Sequence, residues 1–147
     1  MVFKINIGEK SGKTYKLESE EDSFIDKKLH DTIKGEDFSN NLEGYEFEIT
    51  GASDKAGFTA MEKAPGVGLK KLLLSYEKGM KRKPKREGKK KFSNSKPKGL
   101  KLRKTVRGNT LTTDFTQINL KVTKEGKKKL EEIFNPKVEE AAELKKE

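Results

Sequence analysis

Alternation of apolar and polar residues marks both ends of this chain. VFKINI (2–7) places Phe3, Ile5 and Ile7 on one face, and TYKLE (14–18) does the same with Tyr15 and Leu17. With the turn GEKSGK between them they predict a β-hairpin, because a period of two is the signature of a half-buried strand. Ser23 and Asp26 have the spacing of a capping box, and Phe24, Ile25, Leu29 and Ile33 recur at helical intervals until Gly35. A short helix packed on the sheet is expected there. Phe38 and Leu42 anchor a polar link to YEFEIT (45–50), whose Tyr45, Phe47 and Ile49 give the clearest strand. GASDKAGFTAMEKAPGVG (51–68) holds four glycines and a proline and reads as a structured loop. KLLLS (71–75) reads as a strand buried on both faces, NTLTTDF (109–115) as a strand ending in a turn, and QINLKV (117–122) as another strand. Leu130, Ile133 and Phe134 predict a helix over 125–134. Asn135-Pro136 then breaks the chain into a short tail, 136–147, helical or frayed, with Val138, Ala141 and Ala142 as a thin apolar stripe.

About six strands, few helices and no βαβ alternation predict a mostly β fold. The expected form is a small antiparallel β-barrel with short helical additions, one domain over 1–135. Charge adds a feature that periodicity does not show. Residues 78–107 hold 15 Lys or Arg and one acid, a local charge of +14, whereas the whole chain has 34 basic and 24 acidic residues, or +10. Everything else therefore sums to 19 basic and 23 acidic residues, or −4. A mildly acidic body carries a long basic arm, and so dense a run points to a polyanionic partner. Thirty extended residues span roughly 100 Å, so the arm can project about half that from the body. Such a stretch is expected to be ordered by its partner.

Other chemistries find no residues. GEKSGKT (8–14) has its glycines one residue too close for a phosphate-cradling loop and runs on with strand periodicity. Asp22, Asp26, Asp31, Glu36 and Asp37 read as solvated carboxylates, and the single His30 as a surface or packing residue. The absence of cysteine excludes thiol catalysis and disulfides and argues against a zinc site. No catalytic, metal or cofactor site is assigned, and no small-molecule substrate is expected. No apolar run approaches the ~18 residues of a membrane span, so neither a membrane partner nor export is expected, and the cytoplasm is the expected compartment. The arm has a mechanism: its cations neutralise phosphates and release counterions. Lys81, Arg82, Lys83, Lys85, Arg86, Lys89, Lys90, Lys91, Lys96, Lys98, Lys101, Arg103, Lys104 and Arg107 are the candidate RNA-binding residues. Lys55, Lys70 and Lys71 form a possible second contact; a tight turn and strand-end lysines would account for them equally well. A solvated linker or a localisation signal is the plain alternative for the arm.

Three segments, GYEFEITGASDKAGF (44–58), GLKKLLLS (68–75) and LRKTVRGNTLTTDFTQINLKVTKEG (102–126), resemble the small-subunit ribosomal proteins of the eukaryotic and archaeal S six family. That family's loop runs Gly, Gly, any residue, Asp, Lys, any residue, Gly, Phe, Pro, Met. Gly51, Asp54, Lys55, Gly57, Phe58 and Met61 match, while Ala52 replaces the second glycine and Thr59-Ala60 replace the proline. KTVRGN (104–109) matches the other hallmark. The resemblance implies a β-barrel core, a structural role in the small subunit, ribosomal RNA and neighbouring ribosomal proteins as partners, and neither catalysis nor a cofactor. The segment 89–101 is longer than the family pattern, and the long helical tail with its serine cluster is absent, which implies an archaeal type without that phosphorylation. The alternative is a free nucleic-acid-binding protein that compacts DNA or regulates it.

Overall fold

The computed structural model describes residues 2–20, 22–75, 79–80 and 99–134. β1 (Phe3–Gly8) and β2 (Thr14–Ser19) form the expected hairpin, with Ile5 opposite Leu17 and Ile7 opposite Tyr15. GEKSGK is its turn, closed by the Glu9 N–H on the Lys13 carbonyl at 2.9 Å. β3 (Thr32–Lys34), β4 (Glu46–Asp54) and β7 (Phe115–Lys124) complete a sheet of five strands in the order β2-β1-β7-β4-β3. β5 (Leu69–Leu74) and β6 (Leu102–Arg107) pair with each other as a separate antiparallel ribbon, joined to the preceding loop by one bridge between Ala60 and Arg107.

The fold is therefore mostly β, but the large sheet is open and not the expected barrel. β2 and the three-residue β3 are its edges, and β1 runs parallel to β7. The space that closing strands would occupy is filled by coil and short 3₁₀ turns from 22–45. These bring Phe24, Phe38 and Leu42 onto the apolar face made by Phe3, Ile5, Ile7, Phe47, Ile49, Ile118 and Leu120. Phe24 packs on Phe3 and Phe38 with ring centroids 6.0 and 5.2 Å apart, and Phe38 packs on Phe47 at 5.5 Å. The opposite face carries Lys4, Asn6, Lys16, Gln117 and Asn119, as the pleat requires.

The helix expected over 23–35 does not form. Asp26 and His30 have φ of 64° and 73°, which no right-handed helix accommodates. The backbone bonds that a helix would need go elsewhere: the Asp26 N–H to Leu111, the Leu29 N–H to Asn109, and the His30 N–H to Ile49. Phe24, Leu29 and Ile33 are buried as foreseen, in one core, while the backbone between them is held by different segments.

Three smaller corrections share this origin. Residues 109–115 form a loop touching Lys28 through one bridge at Thr110, and β7 begins only at Phe115. β4 runs on through Gly51 to Asp54, inside the expected loop, after an irregularity between Ile49 and Gly51. The 125–134 helix is reduced to α1 (Leu130–Phe134). Gly126 lies so close to Tyr45 that the turn before α1 is fixed by packing, and the Tyr45 hydroxyl donates to the Lys128 carbonyl. The 136–147 tail lies outside the described residues.

Candidate nucleic-acid interface

Ten of the candidate RNA-binding residues, Lys81, Arg82, Lys83, Lys85, Arg86, Lys89, Lys90, Lys91, Lys96 and Lys98, lie outside the described residues. The structure does describe the base from which that segment springs. Residues 102–107, read from charge alone as part of the arm, are strand β6, so the ribbon carries the arm's two ends. Its inner face packs Leu74 and Val106 with Met61, Ala64 and Met80 in a second small core. β5 is not buried on both faces as expected, since Leu69 and Leu73 are 52% and 58% exposed. A two-stranded ribbon has only one face to bury.

Lys101 and Arg103 are exposed on β6 or just before it, and Lys104 is half-buried opposite Leu72. Across 63–75 and 99–113 the sequence has seven Lys or Arg and no Asp or Glu. Lys101, Arg103 and Lys104 make no ion pair with a described residue, so at these three positions the ribbon base is cationic without a described counter-charge. Lys71 is exposed on β5, and the Lys70 ammonium donates to the Pro65 carbonyl.

Arg107 differs from the other candidates. Its Nε donates to Asp54 Oδ2 at 3.0 Å and its guanidinium to Asp114 Oδ2 at 2.8 Å, with the charge 5.9 Å from the centre of the Phe115 ring. Its side chain is only 16% exposed and that of Asp54 4%. Burial by itself would push the Asp54 carboxyl up, but the Arg107 guanidinium and the Phe58 N–H, bonded at 2.8 Å, outweigh it and hold the carboxyl below the usual range. Asp54 in turn raises Arg107. This arginine's donors serve the protein's own carboxylates.

The contact explains why the two hallmark segments occur together. The Arg107 N–H donates to Thr59 and the Met61 N–H to Arg107, so the end of β6 is stitched to the loop that Asp54 closes. Gly57, at φ 88°, completes the tight turn and leaves Lys55 exposed at its tip. Gly108 presses on the Gly66 backbone, where an added Cβ would lie 1.7 Å from the Gly66 oxygen. Asn109 Oδ1 then accepts the Gly66 N–H at 3.0 Å. Asp54, Asp114 and Asn109, none of them a sequence candidate, thus fix the ribbon to the sheet. The only available signal was the match of Asp54 and Asn109 to the family patterns.

His30, read as a surface or packing residue, links three segments. Its Nδ1 lies 2.7 Å from Glu48 and its Nε2 2.7 Å from Glu62. Carboxylates only accept, so both contacts are hydrogen bonds only when the ring is doubly protonated. The Glu48 bond, then the Glu62 bond, raises its pKa against the effect of burial. No cluster of metal-binding side chains occurs among the described residues.

Residues 3–135 match the profile of a family described as Ribosomal protein S6e. The chain is 39% identical over 127 residues to the small ribosomal subunit protein eS6 of Methanococcus maripaludis strain C6, covering 86% of this chain and 90% of that protein. It is 39% identical over 147 residues to the eS6 protein of Methanosphaera stadtmanae, covering 97% of this chain and all of that one. With the eS6 protein of Nanoarchaeum equitans the identity is 35% over 136 residues, covering 91% and 90%.

Proposed function

The chain belongs to the ribosomal protein S6e family, and from that membership we propose that it is a structural constituent of the small ribosomal subunit, held there by ribosomal RNA. It supports translation in the cytoplasm as part of the ribosome and is not an enzyme. The sheet supplies a rigid body, and the ribbon presents the basic segment between β5 and β6 to folded RNA. Lys101, Arg103 and Lys104 take the first phosphates at the base, and the lysines and arginines of 81–98 take those beyond. Lys55 and Lys70 add contacts on the flank. Arg107 holds the base in place and touches no phosphate. A-form RNA hides its base edges in a narrow major groove, so contacts go to phosphates and 2′-hydroxyls and the recognition is of shape.

The observation that carries this reading is the charge at the ribbon base: Lys101, Arg103 and Lys104 stand on or just before β6 with no ion pair to a described residue. A protein surface that needed only solubility would mix both signs. Sedimentation with mapping of lysine–RNA crosslinks tests it. The chain should run with small subunits at low magnesium, with crosslinks from Lys101 and Lys104 to ribosomal RNA. Sedimentation with DNA, or in a free pool, would favour a free-standing nucleic-acid-binding protein.

A further inference from the structure

Among the described residues nothing pairs with the outer edge of β5, and the RNA-binding reading leaves its backbone unused. The Gly108 N–H donates to the Gly68 carbonyl at 2.9 Å, which makes those two a hydrogen-bonded pair. Such pairs alternate along an antiparallel ladder. Lys70, Leu72 and Leu74 therefore aim their backbone groups at β6, and Leu69, Lys71 and Leu73 aim theirs away. The same phase is visible from β6, where Arg107, opposite Leu69, turns its N–H and carbonyl outward to Thr59 and Met61. Among the described residues no strand lies along this edge of β5.

The side chains of the same three residues share one face. Leu69 and Leu73 are more than half exposed, with the exposed Lys71 between them, Thr105 opposite Lys71 and Arg103 opposite Leu73. Of the five large hydrophobics exposed among the described residues, Val67, Leu69, Leu73 and Leu102 all lie on the ribbon or its approach. An exposed edge with apolar side chains is a template for another strand, and most proteins blunt or cover it.

We infer that the outer edge of β5 accepts a strand from another protein, an extended segment patterned apolar–x–acidic–x–apolar. Its backbone satisfies the outward N–H and carbonyl groups of Leu69, Lys71 and Leu73. Its two apolar side chains cover the leucines, and its carboxylate meets Lys71. Lys71 thereby serves a partner carboxylate in place of a phosphate. RNA is a poorer occupant, since it offers few donors for the outward carbonyls and leaves the leucines wet. A second copy of this chain is also disfavoured. Two-fold pairing of β5 on β5 about its middle sets Lys71 against Lys71, and opposed like charges are destabilising.

The test uses the full ¹⁵N-labelled chain and amide exchange at Leu69–Leu74. The probes are a short synthetic peptide with a Leu-Thr-Glu-Thr-Leu centre, the same peptide with Lys in place of Glu, and an A-form RNA duplex. In the free protein the amides of Leu69, Lys71 and Leu73 should exchange faster than those of Lys70, Leu72 and Leu74. The Glu peptide should slow those three, and the Lys peptide and the duplex should not. Lys71→Glu should reverse the preference between the peptides. Leu69→Ser with Leu73→Ser should weaken binding of the Glu peptide by about tenfold or more, as expected for losing one to two buried leucine contacts. The inference is overturned if the three amides are already slow in the free chain, if the duplex protects them, or if Lys71→Glu leaves the peptide preference unchanged.

Discussion

Replacing Asp54 by alanine removes the carboxylate that joins the loop after β4 to the end of β6. Two bonds disappear, from Arg107 Nε at 3.0 Å and from the Phe58 N–H at 2.8 Å, at a side chain only 4% exposed. Stripping one partner from a buried ion pair costs about 3–5 kcal/mol. Here Arg107 is partly exposed and keeps Asp114 at 2.8 Å, which places the loss near the lower end, about 3 kcal/mol. Asp54→Asn retains an acceptor for Phe58 and should cost about 2 kcal/mol. Urea unfolding at neutral pH reads this as a lower midpoint with an unchanged slope. A double-mutant cycle with Arg107→Ala should return a coupling of about 2 kcal/mol. In exchange experiments the amides of Phe58, Met61 and Arg107 should lose protection ahead of the β1–β7 ladder. The pH dependence follows from the depressed carboxyl. Its contribution is full above its unfolded pKa, about 3.9, and is lost as pH falls through its lower folded value. The gap between wild type and Asp54→Asn should therefore close in acid. A loss below about 1 kcal/mol, or a coupling near zero, would refute the assignment of Arg107 as a brace.

Gly108→Ala should be more damaging than either, by about 4 kcal/mol, because the clash is with the Gly66 backbone and no side chain can yield; thermal unfolding of the variant checks it. The His30 bridge makes stability fall as pH rises. Its folded pKa is raised, so the stabilisation is complete below the unfolded value near 6.5 and is lost as pH passes the folded one. His30→Gln should abolish that dependence of the melting temperature between mildly acid and mildly alkaline pH, and an unchanged dependence would discount the bridge. Tyr45→Phe removes the hydroxyl bond to the Lys128 carbonyl and should cost about 1 kcal/mol, with faster exchange in α1 and no effect on RNA binding.

The strands that alternate were plain from the sequence. Phe3, Ile5 and Ile7, Phe47 and Ile49, and Ile118, Leu120 and Val122 line one buried face as their spacing requires. What escaped was set by partners distant in the chain. Phe24, Leu29 and Ile33 mimic a helix because they enter one core at intervals of five and four, while the backbone between them bonds to Leu111, Asn109 and Ile49. The leucines of β5 look like a central strand because nothing local says that only one neighbour will pair with it. Arg107 looks like any other cation of the arm until Asp54, 53 residues earlier, is found beside it. Of the proposed interface, the charge and its start after the 71–75 strand were legible, whereas β6 at its other end is hidden by its own basic residues. The brace that holds it was visible only as two short motifs whose meeting in space the sequence does not state.

The central claim is that the ribbon and its basic segment hold ribosomal RNA through phosphates. The salt dependence of binding to small-subunit ribosomal RNA tests it most directly, comparing the wild-type chain with Lys101→Ala/Arg103→Ala/Lys104→Ala and with Arg82→Ala/Lys83→Ala/Lys85→Ala/Arg86→Ala. About eight phosphate contacts give a log–log slope near −6 to −7, and each lost contact makes it shallower by about 0.7–0.9. The slope should become shallower by about 2–3 in the first variant and 3–4 in the second, with the sheet still folded. A slope unchanged in both variants would contradict it.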